Sequence, residues 1–270
     1  MFEKRFRQTI REFSMIKKDD VVAVGLSGGK DSTVLMHCLA RLREDLPFDL
    51  IAITIDEGIS NYREATLKIA KAEVARLGIE HKTVSFKGEV GKSLDDILKD
   101  DQSRSCSYCG VFRRRLLNST AKEVGANKLA IGHNLDDLAH TFLMNIYRGE
   151  SGRIGRYLDP QSKDESFVKR IRPLLRTPEK EIALFALLQE IKIDHRECPY
   201  ANNALRQSVR AQLNEMEEKY PGTKFKMLSS FLDVESKLRG QYLKKLNPCS
   251  ICQEPTSANL CKFCQFKSDL

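Results

Sequence analysis

Apolar residues recur along this chain in two alternating patterns. Continuous apolar runs at 21–26 and 50–55, and the stretches 81–86 and 128–131, predict strands. Between them the spacing turns helical. Val34, Leu35, Cys38, Leu39 and Leu42 share one face, residues 63–77 form a helix closed by Gly78, residues 112–124 another that is again followed by a glycine, and residues 135–147 a further one. Strands alternating with helices predict an α/β fold, a parallel sheet with helices on both faces. Ahead of it Phe2, Phe6, Ile10 and Phe13 lie at helical spacing in a basic amphipathic lead-in. From about 148 the pattern changes to a basic loop region with Arg148, Arg153 and Arg156. A helix started by Pro178, helices near 203–217 and 224–244, and a polar, cysteine-rich segment from Pro248 follow. The expected organisation is a basic helix over 1–20, a main domain over 21–200, a helical extension over 201–246 and a metal knuckle over 247–270.

The 270 residues, 41% of them hydrophobic, suffice for one substantial core and a small appendage. No apolar run approaches the roughly 18 residues of a membrane span, and the opening MFEKRFRQTI lacks the apolar stretch of a secretory signal, so a soluble cytoplasmic protein with no membrane partner is expected. Lys and Arg number 45 against 37 Asp and Glu, a formal net charge of +8. Such a surplus favours a polyanionic partner, nucleic acid above all.

The first strand runs into Gly25-Leu26-Ser27-Gly28-Gly29-Lys30-Asp31-Ser32 and then a helix. Backbone N–H groups and the helix dipole converge on an anion at such a junction, and glycines let the main chain approach it. A Walker A loop would need Gly at Val24 and Ser or Thr at Asp31. SGGKDS instead resembles the PP-loop of ATP-pyrophosphatases, which cleave ATP to AMP and pyrophosphate while adenylating a substrate oxygen. Lys30 is then expected to neutralise phosphate charge, Ser27 and Ser32 to donate hydrogen bonds, and Asp31 to hold Mg²⁺. Ile55-Asp56-Glu57-Gly58 ends the second strand at the same sheet edge and is assigned to the adenosine side, with Ile55 and Asp56 as the candidate contacts.

Gly132-His133-Asn134-Leu135-Asp136-Asp137 follows the fourth strand and opens a helix, so it reaches the same edge. Its paired carboxylates suit a helix cap. Paired with a PP-loop, GHNxDD resembles the tRNA-thiolating branch of the superfamily, which makes Asp137 the candidate catalytic carboxylate or Mg²⁺ ligand and places Gly132 and His133 at the nucleotide.

Six of the eight cysteines form CxxC pairs, which in a cytosolic chain points to metal. Cys249, Cys252, Cys261 and Cys264 have the spacing of two zinc knuckles, expected to share one Zn²⁺. Cys38 lies on an apolar helix face and reads as core. The remaining Cys106, Cys109 and Cys198 have no fourth cysteine, which suggests an iron-sulfur cluster with one open iron. A catalytic disulfide or persulfide at Cys106 and Cys198, or plain buried thiols, are the alternatives.

Taken together, SGGKDS, CSYCGVFRRR, GHNLDD, RPLLRTPEKEI and HRECPYA resemble, in order and over the whole chain, the TtuA-like tRNA 2-thiouridine synthetase family. That resemblance implies ligation of a 4Fe-4S cluster by Cys106, Cys109 and Cys198, adenylation of uridine O2 in tRNA by ATP, and displacement of AMP by sulfur at C2. Lys30, Asp31, Asp137, Cys106 and Cys198 would be the catalytic set. It also implies a homodimer and a sulfur donor that is either free sulfide or a ubiquitin-like carrier. Many relatives carry an N-terminal zinc finger. No cysteine precedes Cys38 here, so that finger is expected to be absent or lost by truncation. Arg113, Arg114, Arg115, Arg148, Arg153, Arg156, Lys169, Arg170, Arg172 and Arg176 flank the motifs and are candidates for a phosphate-tracking face. Cytidine 2-thiolation, or a non-catalytic tRNA-binding or sulfur-carrier-binding role, are the competing functions.

Overall fold

The computed structural model describes residues 1–157, 167–201, 204–242 and 246–270. Helix α1 (Phe2–Glu12) leads into β1 (Val21–Gly25), α2 (Lys30–Leu42), β2 (Asp49–Asp56), α3 (Arg63–Leu77) and β3 (Glu80–Ser85). Short helices α4 (Phe86–Val90) and α5 (Leu94–Ile97) precede the long α6 (Ser105–Glu123), then β4 (Lys128–Ala130), α7 (Leu135–Tyr147), α8 (Ser151–Ile154), β5 (Lys169–Ile171) and α9 (Glu179–Leu188). Helices α10 (Ala204–Lys219) and α11 (Thr223–Leu238) follow, and the chain closes with β6 (Asn247–Pro248), β7 (Pro255–Thr256) and α12 (Lys262–Ser268).

Among the described residues, strands β1 to β5 form one parallel sheet in the order β3-β2-β1-β4-β5. Alternation along each strand sends Val22, Val24, Leu50 and Ala52 into a core with α1, α2, α3 and α9, and Ala23, Ile53 and Leu129 into a second core with α6. Helices on both faces, as the sequence pattern implies, are thereby realised. The chain builds outward from β1 through β2 to β3 and then returns to β1's other side for β4. The strand order reverses between β1 and β4, and a crevice opens there at the carboxyl ends. Helices α10 and α11 pack on α7 and not on the sheet, through Val209, Leu213, Leu228 and Phe231. No described helix is long and apolar enough to cross a membrane.

Three elements differ from expectation. The cysteine segment Cys106–Cys109 is not a loop ahead of a helix but the first turns of α6, which begins at Ser105. Apolar periodicity starts only at Phe112. The earlier turns are mostly Ser, Cys and Gly, weak helix formers, and are held by tertiary packing of Tyr108 on Phe266, with ring centroids 4.6 Å apart. The basic loop region contains α8 and the edge strand β5, whose three residues are too few to show alternation. Helix α11 ends at Leu238. Residue 203, where one helix was expected to begin, and residues 243–244, where the next was expected to end, lie outside the described residues.

The lead-in helix is bound to the core. Phe6 and Ile10 are buried, and Phe2 stacks on Phe185 with centroids 4.3 Å apart. Cys38 is buried in the same core.

Candidate functional site

The loop after β1 is shaped by close approach. Gly28 has φ +84°, and a Cβ there would lie 2.3 Å from the Thr66 carbonyl oxygen of α3, so no other residue fits without moving that helix. Arg63 of α3 secures the same loop by donating to the Ser27 carbonyl at 2.8 Å and pairing with buried Glu57 at 2.7 Å. The hydroxyls of Ser27 and Ser32 bond each other at 2.9 Å, and the Ser27 N–H donates to the Ser32 hydroxyl. These bonds fix the loop's conformation from within the protein.

From β4, Gly132 packs against the start of α2, where a Cβ would come 2.9 Å from the Ser32 nitrogen. Asn134 caps α7: its Oδ1 accepts the Asp137 N–H at 2.9 Å, while the Asp137 carboxylate accepts the Asn134 N–H at 3.2 Å, a capping box. The Asn134 Nδ2 donates to Asp31 at 3.1 Å and so ties the two motifs together. The helix-cap reading of the acidic pair and the active-site reading of Asp137 are compatible, because its outer surface still faces the crevice.

A cavity of about 630 Å³ lies between these loops. Gly25, Ser27, Gly29, Asp31, Ser32, Ile55, Gly132, His133 and Asp137 line it, as do Arg113, Arg114, Arg170 and Arg172. Gly28, Lys30 and Asp56 do not. Asp56 is drawn into a turn by accepting the Gly58 N–H at 2.9 Å. Of the stretch 55–58 assigned to the adenosine side, Ile55 and Glu57 line the cavity.

Burial raises the pKa of Asp31, partly offset by Lys30, and also that of Asp137, partly offset by the Asn134 N–H. Each of these two carboxylates is a desolvated acceptor without a cation fully its own, a donor set that fits Mg²⁺. His133 is exposed to the cavity by its accessible surface. Partial desolvation there, with the charges of Arg172, Arg113, Arg206 and Arg170, lowers its pKa, so the imidazole is neutral at pH 7.

Lys30 is held by a residue that sequence reasoning missed. Its Nζ donates to Glu179 at 2.6 Å and to Asp31 at 3.0 Å, and these partners raise its pKa against the cost of burial. Glu179 also accepts two bonds from Arg210 of α10, at 3.0 and 3.1 Å, and its N–H donates to Asp136 at 2.8 Å. Asp136 in turn pairs with buried Lys224 of α11. Asp136, capping partner by sequence, is thus the joint between α7, α9 and α11. Only the Glu in PEKEI signalled Glu179, and its partner is 149 residues away.

Cys106, Cys109 and Cys198 gather beside this cavity. Each acts electrostatically on Arg113, which together with Glu57 they hold above its usual pKa against burial. Cys106 Sγ approaches the Tyr200 carbonyl at 3.8 Å. Burial pushes Cys109 up to about 11 and raises Cys198, so neither is a ready thiolate without a metal to deprotonate it. Neighbouring thiols with a guanidinium alongside fit a cluster that needs anionic ligands and charge balance.

Cys249, Cys252, Cys261 and Cys264 have their sulfurs all within 4.8 Å of one another. The N–H groups of Cys252 and Cys261 hold Cys249 below the usual thiol range. That set fits a tetrahedral ion. The β6-β7 hairpin and α12 pack on α6: Phe263 and Phe266 stand edge-on to Phe112, and Glu254 pairs with Arg115 at 3.1 Å. Stripping the metal by chelation, or replacing Cys249 and Cys252 by serine, is therefore expected to release α12 and cost about 3–5 kcal/mol, the scale of losing one buried phenylalanine. Limited proteolysis checks this, with new cuts in 246–270. An unchanged digest after complete metal removal would refute it.

The candidate basic face divides. Arg115 pairs with Glu254, Arg176 with Glu12 and Arg153 with Glu150, and Arg156 donates to the Tyr242 carbonyl. Arg113, Arg114, Arg170 and Arg172 turn into the cavity.

A family model described as a PP-loop domain matches residues 1–217. The tRNA 2-thiolation protein NcsA of Haloferax volcanii is 36% identical over 97% of this chain and 88% of its own length. The tRNA-5-methyluridine(54) 2-sulfurtransferase of Pyrococcus horikoshii is 33% identical over 98% and 84%. Among solved structures, the U34-tRNA thiolase NcsA from Methanococcus maripaludis, with its [4Fe-4S] cluster, superimposes with a TM-score of 0.86 at 34% identity, covering all of this chain and 88% of that one.

Proposed function

We propose, from the premise that this chain belongs to the PP-loop family and to its tRNA 2-thiolation proteins, that it is an ATP-dependent tRNA sulfurtransferase that replaces O2 of a uridine with sulfur. The observation that carries this reading is the meeting, at one topological switch point, of the SGGKDS loop and Asp137 on one cavity whose lining residue Arg113 is neighbour to all three cysteines.

ATP binds with its phosphates on the loop at 25–32, where main-chain N–H groups and the start of α2 face the anion. Lys30 shares its charge between Glu179 and the phosphates, and stabilises the pyrophosphate as it leaves. Asp31 and Asp137 would hold Mg²⁺, which would neutralise phosphate charge and favour the ionised form of both carboxylates despite burial. Uridine O2 attacks the α-phosphorus, the bond to the bridging oxygen breaks and pyrophosphate departs. Ile53, Ile55, Leu129 and Ile131 give the cavity an apolar lining that excludes water from the adenylated base. Neutral His133 supplies a hydrogen bond without adding charge. Cys106, Cys109 and Cys198 would hold a 4Fe-4S cluster, which would supply a metal site able to bind sulfide. Arg113 balances the charge of those thiolates. Sulfur attacks C2 and AMP leaves. Cys249, Cys252, Cys261 and Cys264 would hold a structural Zn²⁺.

The sulfur arrives as free sulfide or as a thiocarboxylate on a ubiquitin-like carrier, and the protein works in the cytoplasm. A homodimer, implied by the family resemblance, would cover the exposed stripe of Leu184, Leu187 and Leu188 on α9. The test is the product set from ATP, unmodified tRNA and a sulfur donor under strictly anaerobic conditions: pyrophosphate, AMP and 2-thiouridine in the digested tRNA. ADP with orthophosphate, or 2-thiocytidine, would overturn the reading.

A further inference from the structure

Most arginines in this protein answer to a carboxylate: Arg5 to Glu181, Arg63 to Glu57, Arg115 to Glu254, Arg176 to Glu12, Arg210 to Glu179. Three in the cavity wall differ. Arg170 and Arg172, two residues apart on an extended run, point to the same side and meet Arg114 of α6. Among the described residues no carboxylate pairs with any of the three. Arg172 is buried, lies 4.4 Å from the Tyr157 ring centroid and has an Nε without a hydrogen-bond partner. Burial, then the neighbouring charges of Arg114 and Arg172, push Arg170 down to about 10, as expected of a cation among cations.

Like charges gathered in a concave, partly desolvated wall lower the stability of the empty protein and are relieved by an anion. Guanidinium forks match the oxygens of a phosphate. The nucleotide's phosphates already have the glycine loop, on the β1 side of the crevice, whereas this wall belongs to β5 and α6. A uridine that enters the cavity must be splayed out of its stack, and it brings its flanking phosphates to the wall with it. We infer that Arg114, Arg170 and Arg172 form a second anion subsite, distinct from the phosphate loop, that grips the RNA phosphodiester adjacent to the base being modified. This deepens the proposed function and rests on it.

The experiment measures binding of unmodified tRNA and, separately, of a non-hydrolysable ATP analogue to wild type, Arg170→Gln and Arg114→Gln, with thermal melts at low salt. Each substitution should weaken tRNA about tenfold and reduce the slope of log affinity against log salt by about 1. ATP-analogue affinity should change less than twofold, and the melting temperature of the ligand-free protein should stay level or rise. Unchanged tRNA affinity and slope in both variants would overturn the inference, and so would a loss of ATP-analogue affinity, which would hand the cluster to the nucleotide. Because Arg114 is on the accessible side of α6, its variant keeps the test decisive if Arg170→Gln folds poorly. Wild-type thiolation alongside unaffected variant binding would sink this subsite alone, whereas absent tRNA-dependent pyrophosphate release in wild type would sink the parent reading.

Discussion

Replacing any one of Cys106, Cys109 or Cys198 by serine is expected to abolish thiolation, by at least about a thousandfold, while ATP binding persists. The size follows from what the three thiols do together. A sulfur atom held beside C2 reacts as a positioned neighbour, and such positioning contributes effective concentrations far above any soluble sulfide level. The set is not redundant: with three protein ligands, losing one leaves a cluster with two open irons, which is not retained. The phosphate loop does not depend on these residues, since Ser27, Ser32 and Arg63 hold its shape and none of the three cysteines lines the cavity. Anaerobic iron and sulfide analysis, thiouridine yield and ATP-analogue affinity are the three readouts. Full thiolation by iron-free protein, with a persulfide trapped on Cys106 or Cys198, would show that the disulfide and persulfide alternative is right. Burial raises the pKa of Cys198, which disfavours a thiolate at that member of the pair.

Lys30→Ala is expected to lower tRNA-dependent pyrophosphate release by about a hundredfold to a thousandfold, the range for removing one preorganised charge from a transition state. Glu179→Gln tests the arrangement behind it. Loss of one charged partner should cost about 1.5–3 kcal/mol in the placement of Lys30 and appear mainly in kcat, since the loop's glycines and N–H groups still bind ATP. Arg210 and Asp136 also rely on Glu179, through its carboxylate and its N–H respectively, and the glutamine retains the latter. A Glu179→Gln enzyme with unchanged kcat would mean that Asp31 alone sets the lysine. Pyrophosphate release by Lys30→Ala at the wild-type rate would remove Lys30 from the transition state.

Much of this protein is determined locally and is therefore legible in the chain. The alternation of strand and helix, the cap at Gly78, and the glycine loops after β1 and β4 depend on nearest neighbours in sequence, where periodicity and φ preference act. Motif spacing likewise identifies the four-cysteine knuckle, because its ligands lie within 16 residues. Tertiary structure alone decided what depends on distant partners. That Cys106 and Cys109 ride on a helix follows from Tyr108 and Phe112 meeting α12, more than 150 residues on. That Lys30 answers to Glu179, that Asp136 pins α11, that Asp56 turns away while Glu57 faces the cavity, and that Arg115 and Arg176 serve ion pairs while Arg114, Arg170 and Arg172 have no carboxylate partner among the described residues, are outcomes of packing. A short edge strand such as β5 carries too few residues to announce its face, and a charged side chain takes whichever partner the fold brings near, so neither is written in the local pattern.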